Sequence, residues 1–186
     1  MAQDKTPQER LQEEQEHKEH VHHTKINAAA IADHILGNIH TLHVKLHQYH
    51  WYVKGPHFFS LHDKLEELYN ANEEWFDTIA ERLLASGHKP ASTTAEFEKY
   101  TMLSEDPADK YLKAEEMVEN VVEDFRSTRE FTIRAIRLAQ EEGDDALEDT
   151  LIAFKDHLDE SIWMLQAFLG KEALEDDDAY EDEDED

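Results

Sequence analysis

The chain has 186 residues, of which 45 are acidic and 18 basic, for a formal charge of −27, and it has no cysteine. Lack of cysteine excludes disulfide staples and thiol catalysis, and the acidic excess predicts no direct DNA binding at neutral pH, because phosphate is held by lysine and arginine. A polar start predicts no secretory signal and no apolar run is long enough to span a bilayer, so the expectation is a cytoplasmic protein of one domain with an adequate core.

Residues 1–25 hold six acids against Lys5, Arg10, Lys18 and Lys25, together with His17, His20, His22 and His23, and are expected to form a flexible, His-rich polar tail. From 26 to 53 a helical repeat of Ile31, Ile35, Ile39, Leu42, Leu46 and Tyr49 runs beside a file of histidines, His40, His43, His47 and His50. A second helix is expected over 57–85, where Leu61, Leu65, Leu68, Phe76, Ile79 and Leu83 recur without an internal glycine or proline. The long connection after it holds a short helix near 94–100. Asp106-Pro107 then reads as cap and first residue of a third helix, 107–141. Gly143-Asp144-Asp145 stops that helix and caps a fourth over 146–169. Residues 171–186 carry eleven acids and one lysine, and are expected to be a disordered acidic tail. The expected fold is all-α: a four-helix bundle over 26–170, with a short helix in the long connection between helices two and three.

Within the second helix, His62/Glu66 and Asp77/Glu81 are each i, i+4 pairs, and all four fall within roughly a 100° sector away from the apolar stripe. Their fifteen-residue offset is about 22 Å along a helix, too far for one ion. An antiparallel copy of the helix across a two-fold axis near residues 71 and 72 would set His62/Glu66 of one chain against Asp77/Glu81 of the other. Isologous contact would then create two equivalent metal sites. His50, brought round by the Trp51–Pro56 turn, adds a second imidazole to the half-site. Such acidic pairs also arise as a plain solvated face, and His40, His43 and His47 as hydrogen-bonded core histidines.

The stretch HQYHWYVKGPHFFSLHDKLEELY, followed by EEWFDTIAERLLASG, and the later LIAFKDHLDESIWMLQAFLG resemble the Dps family of mini-ferritins over roughly Ile26 to Gly170. The resemblance implies a ferritin-like four-helix bundle and a ferroxidase site with His50, His62 and Glu66 from one subunit, Asp77 and Glu81 from its two-fold mate. Many members carry Asp where this chain has Glu66, which has one more methylene. By the same resemblance, two irons bind per inter-subunit site. Fe(II) is oxidised, preferably by hydrogen peroxide and otherwise by oxygen, and ferric mineral is stored in a hollow homo-dodecamer, protecting against oxidative damage. Trp51 would accept an oxidising equivalent or pack as an interface aromatic. Asp144, Asp145 and Asp149 would line three-fold pores, although Asp144 and Asp145 also read as helix caps.

No Glu-x-x-His pair occurs within 26–170, which speaks against a metal site enclosed in a single bundle. Two other functions stand beside iron storage. One is a DNA-binding nucleoid protein of starved cells, which four tail histidines could favour below about pH 6. The other is a non-redox metal buffer, with His17, His20, His22 and His23 chelating zinc, nickel or cobalt.

Overall fold

The computed structural model describes residues 5–24 and 26–177, with side chains throughout except at 20–24. Six α-helices are present and no strand among these residues: α1 Pro7–Thr24, α2 Ala28–Tyr52, α3 Phe58–Ala85, α4 Thr94–Tyr100, α5 Ala114–Glu142 and α6 Asp145–Phe168, with a 3-10 turn at Pro107–Tyr111. The bundle consists of two antiparallel hairpins, α2–α3 and α5–α6, packed so that α2 lies on α5 and α3 on α6. The connection 86–113 carries the chain from one hairpin to the other, and α4 within it lies against α2.

Local chemistry sets the ends. Asn27 caps α2, its side chain accepting from the Ala30 amide at 2.8 Å. Gly143, at φ +71°, closes α5 in the left-handed region that glycine adopts without a Cβ clash. Asp144 then caps α6 by accepting from the Leu147 amide at 3.1 Å. At Gly37 of α2 the backbone of α4 comes so close that a Cβ would stand 2.7 Å from the Thr101 nitrogen and 2.9 Å from the Phe97 oxygen. Glycine there allows the connection to lie flat on the bundle.

Ile31, Ile35, Ile39, Leu42, Leu46, Leu65, Leu68, Ile79, Val121, Phe125, Leu151 and Phe154 are buried in one core. Polar ties cross it. Lys45 of α2 and Asp124 of α5 form a buried ion pair at 2.7 Å. The Tyr49 hydroxyl donates to Asp109 at 2.9 Å and accepts from Asn120 at 3.0 Å, which fixes the 3-10 turn against α2 and α5.

Three expectations need correction. The third helix does not run from 107. Pro107 opens a single 3-10 turn, Leu112 and Lys113 are extended, and the helix restarts at Ala114, where Glu116 accepts from the Lys113 amide at 2.8 Å. Residues 7–24, expected as a flexible tail, form α1. A capping box starts it: the Thr6 amide donates to Glu9 at 2.8 Å while the Glu9 amide donates to the Thr6 hydroxyl at 3.3 Å, with Pro7 at the first helical position. The helix is held to the bundle by Lys18–Asp33 at 3.2 Å and Glu14–Lys89 at 3.6 Å. Burial pushes the Asp33 carboxyl above its ordinary range, a cost offset by the Ala91 amide and Lys18. Finally, residues 171–177 fold back on α5, where the buried Asp177 pairs with the buried Arg129 at 2.6 Å; the rest of the expected acidic tail lies outside the described residues.

Candidate metal centre

The turn between α2 and α3 depends on Gly55, at φ +111°, a conformation that side chains with a Cβ resist. It reverses the chain so that His50, near the end of α2, meets His62, in the first turns of α3. The two imidazoles stack at 3.6 Å between centroids and 19° between planes. His50 Nδ1 lies 2.8 Å from the His62 carbonyl oxygen, and His62 Nδ1 lies 2.9 Å from the His50 carbonyl oxygen. A carbonyl can only accept, so each Nδ1 carries a proton, and in the neutral ring the lone pair sits on Nε2. This is the arrangement that orients a metal-binding histidine and fixes its tautomer. His50 is buried and His62 half-buried, with Phe58 also stacked on His62 at 5.1 Å.

Glu66 lies one turn further along α3 and is exposed. Tyr69, three residues on, has its phenol pushed up by burial and by the charge and hydrogen bond of Glu66. The ring of Tyr69 lies edge-on to His50 at 5.4 Å and stacks on His47 at 3.9 Å. Trp51 is 67% exposed and meets His47 edge-on at 5.5 Å.

Asp77 and Glu81 are also exposed, on the distal half of α3, and have no hydrogen bond or ion pair among the described residues. The chain therefore brings His50, His62 and Glu66 to one end of α3 and leaves Asp77 and Glu81 at the other. Among the described residues, no three His, Asp or Glu side chains of one chain gather into a complete metal-binding group. The donor set suits Fe(II): neutral nitrogens and hard carboxylates, with no thiolate.

The remaining candidates divide by position. The Asp144 carboxylate caps α6, and a hydrogen bond with Ser86 holds its pKa below the usual carboxylate range, helped by the Leu147 amide, Arg82 and His88. Asp145 and Asp149 are exposed on the first turns of α6. His17 is exposed on α1 and borders a cavity of about 360 Å³ that also touches Glu14, Lys18, Asp33 and Lys89 but none of the α3 candidates. The side chains of His20, His22 and His23 lie outside the described residues.

Two neighbours escaped the sequence reading as parts of this face. One is Tyr69, the other Glu73, whose Oε2 lies 3.3 Å from His43 Nδ1. Helical spacing could have found Tyr69, which follows Glu66 by three residues. The His43 contact joins two helices and has no local signal.

A ferritin-like domain model matches residues 29–174. The DNA protection during starvation protein of Listeria innocua is 40% identical over 150 residues, covering 81% of this chain and 96% of that protein. General stress protein 20U of Bacillus subtilis is 43% identical over 129 residues, covering 69% and 88%. Among solved structures, the Lactococcus lactis DpsB protein superposes with a TM-score of 0.85 at 31% identity, covering 90% of this chain and 96% of its own. Dps from Listeria monocytogenes does so with a TM-score of 0.78 at 38% identity, covering 81% and 98%. With a ferritin-like domain over most of its length and relatives this similar across nearly their whole chains, the protein belongs to the Dps family of ferritin-like proteins.

Proposed function

We propose that this protein oxidises Fe(II), preferably with hydrogen peroxide, at sites shared between two-fold related subunits, and stores the ferric product as mineral inside a hollow dodecamer. The observation that carries this reading is the reciprocal pinning of His50 and His62, which leaves both Nε2 lone pairs ready to bind a metal. Glu66 is the third donor of that half-site. Asp77 and Glu81, exposed and without side-chain partners among the described residues, are the donors offered to a second copy. Membership of the Dps family supports iron as the substrate at a coarser level.

In this reading two Fe(II) ions each give one electron to one peroxide. The O–O bond breaks in a single two-electron event, the oxygen atoms become water-level oxygen, and hydrolysis of the two Fe(III) ions releases protons. Pairing the irons is what keeps the one-electron product, hydroxyl radical, from forming. The histidines bind as neutral ligands. The carboxylates of Glu66, Asp77 and Glu81 would offset the added positive charge. Exposed Trp51 is available to give up an electron if the pair is incomplete.

The names of several relatives refer to DNA protection. In this chain the charge of −27 opposes direct contact with phosphate, so protection acts here through removal of iron and peroxide. The test is anaerobic Fe(II) loading followed by a peroxide pulse, followed by ferric absorbance, with native mass recorded in parallel. Fast oxidation by a particle of about twelve subunits agrees with the reading. A twelve-subunit shell inert to peroxide would leave the family fold and remove the ferroxidase.

A further inference from the structure

Glu73 follows His62 by eleven residues, and at about 100° per residue this returns it to the face that carries His62, Glu66, Asp77 and Glu81. Its side chain is 70% exposed, and His43 reaches it from α2 with Nδ1 at 3.3 Å from Oε2. Two donors, each about 2.1 Å from a tetrahedral ion, stand about 3.4 Å apart. The pair thus already has the spacing of one edge of such a site. His43 is held in place by His47, at 4.6 Å between ring centroids, and by Tyr69, edge-on at 6.3 Å. Burial and the neighbouring His47 push its pKa down, against the opposing pull of Glu73, and a metal that displaces the proton Nδ1 shares with the carboxylate gains the Nδ1 lone pair.

The next step rests on the inter-subunit reading proposed above. Antiparallel pairing of α3 that sets His62/Glu66 against Asp77/Glu81 places the two-fold axis between residues 71 and 72. Glu73 is then about 2 Å along the helix from that axis, and its copy comes to the same place from the other side. Two carboxylates meeting there repel each other, and a neutral His43 on each side does nothing to offset the charge. A divalent cation does both: it neutralises the carboxylates and uses the imidazoles.

We propose that His43 and Glu73 of two subunits form a tetrahedral site of two nitrogens and two oxygens on the two-fold axis, for a divalent cation of the zinc or cobalt class, separate from the two iron-oxidising sites that flank it. Each chain supplies only two donors, so the site is incomplete without the partner copy.

Cobalt(II) titration of the full chain at neutral pH tests it, because tetrahedral cobalt gives a strong visible absorption that six-coordinate cobalt lacks. His17, His20, His22 and His23 are changed to Gln beforehand so that they take none of the metal. The expected result is one tetrahedral Co(II) per two subunits, retained when His50→Ala and His62→Ala are added. Binding weakens at least tenfold in H43Q and in E73Q, both of which keep the native mass and the peroxide reaction. A tetrahedral signal indifferent to H43Q and E73Q, or no tetrahedral signal in the parent, overturns the axis site while the iron chemistry stands. Loss of the two-subunit stoichiometry together with a monomeric native mass overturns the interface itself.

Discussion

In the reading proposed above the two ends of α3 carry the same kind of task, and they are built in opposite ways. At the first end, His50 and His62 are stacked, sheltered and tied to each other's backbone. At the other, Asp77 and Glu81 stand in solvent with no side-chain partner among the described residues. The difference follows from the ligand atoms. An imidazole has one usable lone pair and two tautomers, so it must be fixed before a metal arrives. A carboxylate has two equivalent oxygens and its charge needs no orienting, so the metal itself can order it. Rigidity is spent where the chemistry of the donor requires it.

Breaking either end should abolish the same activity while affecting stability differently. His50→Ala or His62→Ala is expected to slow Fe(II) oxidation by peroxide by roughly 100-fold or more, since loss of even the outer partners of ligands costs about 10- to 100-fold. Glu81→Gln should come close to that in stopped-flow absorbance. In thermal or urea unfolding, the His62 variant should lose about 1 kcal/mol with its hydrogen bond, whereas Asp77→Asn and Glu81→Gln should stay within about 0.5 kcal/mol of the parent. A carboxylate variant that unfolds early would show that the exposed end is structural after all.

A larger stability effect is expected away from either end. Gly37→Ala drives a methyl group into the Thr101 and Phe97 backbone, and should cost about 1–3 kcal/mol as overpacking does, read as a lowered urea midpoint. Next to the carboxylate end, Asp144 joins the α6 amides to Ser86, which caps α3. Asp144→Ala should cost about 1 kcal/mol. Because its folded pKa lies below the ordinary value, the stability it gives is full above the unfolded carboxylate range and is lost as the pH falls through the folded value.

The smallest effect belongs to the middle of α3, where Trp75 and Phe154 enclose His157. Burial pushes that imidazole down. Its contribution is therefore complete above about pH 6.5 and fades as the pH drops from there towards the folded value. His157→Phe should flatten this part of the stability–pH curve, measured as the urea midpoint between neutral and mildly acid pH.

The helices themselves were legible because their apolar residues repeat at helical spacing. The expected 26–53 and 57–85 differ from the observed Ala28–Tyr52 and Phe58–Ala85 only at their ends. The i, i+4 pairs on α3 were legible for the same reason, since one helix fixes their relative placement. What failed was local chemistry weighed against composition. Thr6-Pro7-Gln8-Glu9 is a capping signature, yet the polar, acidic segment around it suggested a tail. Asp106-Pro107 starts a turn, but Glu116 restarts the helix seven residues later at Ala114. Nothing in the sequence announces the reciprocal His50–His62 bonds or the His43–Glu73 contact, because both join residues from different helices through a turn or across a packed face. Asp177 reads as one acid among many, and only its place against Arg129 distinguishes it.

The most direct test of the shared site mixes two inactive subunits. His62→Ala and Glu81→Gln chains, co-expressed and co-purified as one particle, generate mixed pairs in which one site carries both defects and the other carries neither. With random pairing, about a quarter of all sites should be intact, and Fe(II) oxidation by peroxide should return to about a quarter of the parent rate. Mixed particles of the parent's native mass that stay as inactive as either variant alone would contradict a site built from two chains.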